Sequence, residues 1–307
     1  MSAVPHLSAG VQVFERGWLS ANNILFTDGL DTLLVDSGYC THSAQTVALV
    51  EGALAGRPLN VLVNTHLHSD HCGGNAALQA RYGNLEIWIP PGQAAYVADW
   101  DPIALTYQPT GQKCPRFSFA KTLVPGTEVL FGSSTWEVYS APGHDPDSLI
   151  FFEPRDRLLI SADALWQSGF GVVFPELEGD RAFDEVDATL NLIEGLNPAV
   201  VIPGHGAVFN YSPGILATAR SRLDAFIANP PRHALHASKV LLKFKLLEAQ
   251  QQDFDEFVEW AINTPYLIQI RNRFFSDLAM ASWIEALCEE LCKAGVAQRD
   301  GSKIFNR

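Results

Sequence analysis

The sequence is poor in basic residues. It carries 21 Lys and Arg against 34 Asp and Glu, a formal net charge of −13 over 307 residues. A general polyanion binder needs the opposite sign, so nucleic acid is not an expected partner. No apolar run approaches the roughly 18 residues of a membrane-spanning helix, so no membrane is expected either. Met1 to Gly10 lacks the basic start and apolar stretch of a signal peptide, which makes the cytoplasm the expected location. The five cysteines, Cys40, Cys72, Cys114, Cys288 and Cys292, are scattered and odd in number. They have neither zinc-ribbon spacing nor the density of a disulfide framework, and fit a reducing compartment.

What is present describes a folded chain. Apolar residues make up 47% and charged residues 18%, which excludes disorder as the main state. A compact body of this size buries about three quarters of its unfolded surface. The charge is uneven. Residues 1–211 hold 9 Lys and Arg with 23 Asp and Glu, giving −14, whereas residues 212–307 hold 12 and 11, giving +1. Two domains are expected with that boundary, one over 1–211 and a helical module over 212–307.

The first part alternates short β runs with helical stretches. Strands are expected at Val11–Phe14, Asn23–Phe26, Thr32–Asp36, Leu59–Asn64 and Glu86–Ile89. A second batch is expected at Thr127–Phe131, Thr135–Ser140, Ser148–Phe152, Leu158–Ser161 and Val200–Ile202. Helices are expected at Ser43–Leu54, Asn75–Tyr82 and Asp184–Leu196. Two strand batches, each with its helices, suit an α/β fold of two sheets packed face to face. Residues 96–121 break the rhythm with Pro102, Pro109, Gly111 and Pro115 and read as a loop or lid. Beyond Tyr211, one helical face carries Leu216, Ala219, Leu223 and Phe226, and another carries Val240, Phe244 and Leu247. Phe254–Ile262 and Asp277–Lys293 are further helices, and Asp300-Gly301 signals a terminal hairpin.

The chemistry concentrates in Thr65-His66-Leu67-His68-Ser69-Asp70-His71-Cys72-Gly73-Gly74-Asn75, directly after an apolar strand. Imidazole and carboxylate ligands suit zinc, manganese or iron. His66 and His68, two apart, share a face of an extended segment, and Gly73-Gly74 permits a tight turn. Three more candidates stand at strand ends or turns: His144 in Pro142-Gly143-His144, Asp163 after Leu158-Leu159-Ile160, and His205 in Gly204-His205-Gly206. Five histidines and two aspartates are enough for two ions sharing one carboxylate. His6, His42, His233 and His236 read as ordinary surface histidines. Cys72 reads as a small buried residue, and Cys288 and Cys292 as core filling on one helix face.

With these residues in this order, the chain resembles the metallo-β-lactamase superfamily over roughly residues 11–211. The Gly-Gly-Asn after the cluster is similar to the glyoxalase II form of the motif. The resemblance implies an αββα sandwich with a binuclear metal site at one edge of its sheets. It further implies that His66, His68 and His144 bind one metal, that Asp70, His71 and His205 bind the other, and that Asp163 bridges them. Asp36-Ser37-Gly38 resembles the family turn whose aspartate supports the site without binding metal. Aspartate at 163, where many antibiotic-hydrolysing members have cysteine, argues against penicillin destruction. One departure stands out. Asp145-Pro146-Asp147-Ser148 follows His144 where many members read Thr-Pro-Gly-Ser; carboxylates beside the metals would repel an anionic substrate, and these are expected instead to point outward and solvate the turn.

The resulting expectation is a hydrolase that uses a metal-bound hydroxide on a small ester, thioester or lactone. Asp70 orients the nucleophile and takes its proton, and two divalent ions, zinc by default and otherwise manganese or iron, are the cofactors. Trp166, Phe170 and Phe174, with Trp100, Tyr107 and Phe117, would suit an apolar group of the substrate. The C-terminal helices and hairpin resemble a winged-helix-like extension of some superfamily members, and a homodimer is compatible with it. The rival readings are an RNA or DNA phosphodiesterase, a mononuclear-iron persulfide dioxygenase and a non-catalytic ligand-binding protein.

Overall fold

The computed structural model describes Pro5, Leu7 and residues 10–307; His6 and most of the Met1–Gly10 stretch lie outside the described residues. The chain divides into two compact units. One comprises residues up to Leu105 together with Lys113–Asp224, and the other Thr106–Gln112 with Ala225–Arg307.

The first unit holds two six-stranded mixed sheets, each in sequential strand order. The first runs β1 (Val11–Phe14), β2 (Asn23–Phe26), β3 (Leu33–Val35), β4 (Val61–Val63), β5 (Glu86–Ile89) and β6 (Lys121–Thr122). The second contains β7 (Glu128–Phe131), β8 (Ser134–Ser140), β9 (Leu149–Glu153), β10 (Leu158–Ala162), β11 (Val200–Pro203) and β12 (Phe209–Asn210). Strands β3 to β6 pair in parallel, as do β10 and β11, while the remaining pairs are antiparallel.

Strand composition follows from burial. The parallel strands β3 and β4 are fully buried, so Leu33-Leu34-Val35 and Val61-Leu62-Val63 are continuous apolar runs rather than alternating ones. Alternate residues enter one shared core. Phe26, Val35 and Val63 meet Trp136, Val138, Phe151, Ile160 and Ile202 from the other sheet. Phe131 packs edge-on to Phe151 at 5.0 Å between ring centroids. The helices Ser43–Leu54 and Asn75–Arg81 lie in the connections between parallel strands.

This topology assembles the site. Asp36 follows β3, His66 follows β4, Asp163 follows β10 and His205 follows β11, while His144 lies in the β8–β9 connection. Backbone hydrogen bonds pin these ends together: Leu149 N to Thr65 O at 2.8 Å, Ala21 N to Asp70 O at 2.9 Å and Asn22 N to Gly204 O at 2.7 Å.

The second unit contains the helices Pro230–Ala249, Phe254–Asn263, Pro265–Phe274 and Met280–Lys293 and a sheet of β13 (Gln251–Asp253), β14 (Ala297–Asp300) and β15 (Lys303–Asn306). β14 and β15 form an antiparallel hairpin, and Gly301 in its turn has φ +57°. The helix Pro265–Phe274 is not among the sequence expectations. Its proline occupies the first turn, where a missing N–H costs nothing. His233, expected at the surface, is fully buried 4.8 Å from the Phe226 ring. Residues 96–121 contain the end of a helix, Ala94–Asp99, and then a series of turns. Among the described residues, no helix is long and apolar enough to cross a membrane.

Phe151 is fully buried between the sheets, whereas Leu130 on β7 is 66% exposed. Phe151→Ala is expected to lower unfolding free energy by about 3–5 kcal/mol, and Leu130→Ala by no more than about 0.5 kcal/mol. Urea denaturation of the two variants measures both.

Candidate metal centre

The motif between β4 and the helix Asn75–Arg81 opens extended and then coils. His68 has β-region backbone, and Ser69–Cys72 is a single helical turn. Leu67 points into the core at 2% exposure, so its neighbours His66 and His68 project the other way. Asp70 and His71 follow on the turn. Gly73 and Gly74 have ordinary right-handed backbone, with φ −61° and −83°. The expected turn is present at both glycines, and close packing is a second reason for glycine there. A Cβ on Gly73 would lie 2.4 Å from Ser69 O, and one on Gly74 would lie 2.4 Å from Ser37 O.

All seven expected side chains come together. Ligand atoms lie within 4.8 Å of one another in three groups: His66, His68 and His144; His66, His71 and Asp163; Asp70, His71 and His205. In the first, His68 Nδ1 stands 3.1 Å from His66 Nε2 and 2.8 Å from His144 Nε2. In the third, His205 Nε2 stands 3.1 Å from Asp70 Oδ2. Asp163 lies between them, its Oδ2 3.4 Å from His144 Nε2 and 3.9 Å from His205 Nε2, its Oδ1 3.4 Å from His71 Nε2. Gly204 makes this approach feasible, because a Cβ there would sit 2.2 Å from Asp163 Oδ1.

The outer nitrogens of these rings are held from behind. His71 Nδ1 reaches Asp36 Oδ2 at 2.7 Å, His144 Nδ1 reaches Val172 O at 2.5 Å, and His205 Nδ1 reaches Gly17 O at 3.4 Å. His66 Nδ1 is 3.1 Å from Thr65 Oγ1, a hydroxyl that in turn donates to Asp36 Oδ2 at 2.8 Å. Asp36, at φ +56°, therefore supports two of the rings, as expected for a residue behind the site.

Charge is distributed in two ways. Burial, followed by the neighbouring rings, holds His66 well below the usual imidazole range. Burial and then His68 lower His144 to about 4. Burial opposes charge on His71 and His205 as well, but there the carboxylates win, chiefly Asp36 for His71 and Asp163 for His205, and both are raised. Asp163 is held well below the carboxylate range, because His205 and His71 outweigh its burial.

A divalent cation pair fits this donor set. Three nitrogens converge where protons cannot satisfy all of them at once, and the buried His71 Nε2 has as its nearest acceptor only Asp163 Oδ1, at 3.4 Å and outside hydrogen-bond geometry. Hard and borderline ligands, N and O without sulfur, suit zinc, manganese or iron. The clusters are consistent with a binuclear metal site.

Other expectations divide. Tyr107 and Phe117 are at most 3% exposed and fill cores instead of lining an open pocket, whereas Phe170, 1% exposed, lines a small cavity with His144 and Asp163. Trp166 does flank the site: its Nε1 donates to Asp163 Oδ1 at 3.2 Å, and its ring lies 5.5 Å from His205. Phe174 stands edge-on to His68 at 6.2 Å. Trp18, which the sequence reading passed over, is 59% exposed, stacks on the His205 ring at 5.6 Å and 12°, and meets Trp166 edge-on. Its place between two strands, where loops carry function, was the available signal. Asp145 does not point outward as expected. It is 2% exposed and points inward, because its carboxylate faces His68 and caps the backbone N–H of Asp147 at 2.8 Å.

Comparison with known proteins agrees with this geometry. A family model described as the metallo-beta-lactamase superfamily matches residues 16–205, more than half of the chain. A hydroxyacylglutathione hydrolase from Brucella anthropi is 27% identical over 168 residues, 54% of this chain and 53% of that one. The match thus spans about half the length of that relative. The probable metallo-hydrolase YybB from Bacillus subtilis is 25% identical over 186 residues, 60% of this chain and 80% of that one. Among solved structures, a beta-lactamase domain protein from Burkholderia ambifaria shares the fold with a TM-score of 0.58 at 20% identity, covering 98% of this chain and 94% of that one. The chain belongs to the metallo-beta-lactamase superfamily.

Proposed function

We propose that this chain hydrolyses a small ester, thioester or lactone at a two-cation site. His66, His68 and His144 would hold one ion, Asp70, His71 and His205 the other, and Asp163 would bridge them. The carrying observation is the convergence of five imidazoles and two carboxylates at one edge of the two sheets. Support comes from the similarity to a hydroxyacylglutathione hydrolase, whose name describes an acyl conjugate as its substrate. Zinc is the proposed ion. The five cysteines form no disulfide among the described residues, which suits a reducing, cytoplasmic setting.

Bound divalent cations polarise a carbonyl oxygen and lower the pKa of coordinated water. The rest falls to the chain's own groups. Asp70 is held ionised, because the hydrogen bond from His205 and the nearby His71 outweigh its burial. Its side chain keeps 16% exposure, so a carboxylate oxygen is available to orient water and accept its proton. Trp18 and Trp166 wall the site beside His205, and Phe174 stands beside His68. These surfaces suit an apolar acyl or leaving group. The excess of acidic residues in the catalytic part disfavours a polyanionic substrate.

Protein loaded separately with zinc, manganese or iron is expected to turn over aryl esters, acyl thioesters or lactones and to leave bis-p-nitrophenyl phosphate intact. Chelation is expected to abolish the turnover. Phosphodiester cleavage alone, or carbonyl hydrolysis indifferent to chelator, would overturn the proposal. Asp70→Ala is expected to lower kcat by about 10²–10⁴-fold, the usual contribution of a positioned acid or base, with an unchanged circular dichroism spectrum. Wild-type turnover by a metal-replete Asp70→Ala protein contradicts its role.

A further inference from the structure

His68 uses its two nitrogens differently from the other rings. Nδ1 faces the cluster, toward His66 and His144. Nε2 faces away, and the group opposite it is the carboxylate of Asp145, with Oδ2 at 3.5 Å. Asp145 is 2% exposed, although an unpaired buried carboxylate is costly. Its other oxygen, Oδ1, accepts the backbone N–H of Asp147 at 2.8 Å. The carboxylate is thus fixed at one end by the turn and presented at the other to an imidazole.

We propose that Asp145 is a positioning residue for His68, its carboxylate accepting the Nε2–H so that Nδ1 is held toward the cluster. The proposal rests on the two-cation reading. It completes a pattern, since the other four rings have an oxygen behind the outer nitrogen: Thr65, Asp36, Val172 and Gly17. His68 keeps 18% side-chain exposure and is more open than His71 or His144, so it is the ring with most to gain from a fixed partner. A carboxylate behind a ligating imidazole fixes its tautomer and raises its basicity, and loss of such a partner commonly costs about 10–100-fold in metal affinity.

The rival role is that of a turn former only, through the bond to Asp147. Asp145→Asn separates the two. Asparagine retains an oxygen for the Asp147 N–H but then offers an NH₂ donor to the His68 Nε2–H, which is also a donor. Asp145→Ala removes both contacts. Zinc dissociation constants, measured by competition with a chromophoric chelator, are expected to rise for one of the two ions by about 10–100-fold in Asp145→Asn, with melting temperature close to wild type. In zinc-loaded protein with ¹⁵N-labelled histidine, the wild-type His68 Nε2–H signal is expected downfield and slow to exchange, and upfield in Asp145→Asn. Wild-type affinity and spectrum in Asp145→Asn, with loss only in Asp145→Ala, would reduce the residue to a turn former and overturn the proposal. So would a freely exchanging His68 Nε2–H in the wild type, a result that needs no variant to fold. Wild-type protein that binds no zinc would instead sink the two-cation reading itself.

Discussion

The carboxylate of Asp36 is buried where the ends of β3 and β4 meet, and three donors converge on it. Thr65 supplies its backbone N–H at 2.9 Å and its hydroxyl at 2.8 Å, and His71 supplies Nδ1 at 2.7 Å. The residue adopts left-handed backbone, φ +56°, a conformation that costs about 1–3 kcal/mol outside glycine and persists where the surroundings over-determine it. Those contacts fix the start of the histidine segment and the orientation of His71. Ser37 extends the brace: its N–H and hydroxyl both reach His71 O, and the hydroxyl reaches Asn75 Oδ1. Without this junction the cluster would be a loop with histidines on it.

The two sheets make that junction a site. Each contributes strand ends to the same edge, and the shared core between them, around Trp136 and Phe151, sets their separation. Asn22 locks the edge from the N-terminal side, donating to Pro203 O at 3.0 Å and Gly206 O at 2.7 Å. The same segment carries Trp18 onto His205. Rigid strands, short connections and backbone clamps hold the facing nitrogens within a few ångströms of one another before any ion arrives, which is the preorganisation a metal site requires.

Much of this was legible because its signals are local. His66, His68, Asp70 and His71 fall within six residues after an apolar run, and the run itself announces a buried strand. His144, Asp163 and His205 were legible as lone polar groups at strand ends. What stayed hidden depends on tertiary facing. Asp145 looked like a solvated turn residue, since nothing in Asp145-Pro146-Asp147 says that His68 lies opposite. Trp18 sits in a connection whose position over His205 is set by hydrogen bonds from Ala21 and Asn22 to distant loops. His233 is polar by type, yet its place on the helix Pro230–Ala249 turns it against Phe226. Gly73 and Gly74 announced the turn that the structure has, but not the close approach of Ser69 O and Ser37 O that also excludes a side chain there.

The facing nitrogens and carboxylates at this edge of the two sheets are arranged for two metal ions. Anomalous diffraction at the absorption edge of the bound metal, on crystals of protein grown in zinc, tests it most directly. The expected result is two peaks about 3.5–4 Å apart, one among His66, His68 and His144, the other among Asp70, His71 and His205, with Asp163 touching both. An empty cluster, or zinc bound only elsewhere on the chain, would contradict it.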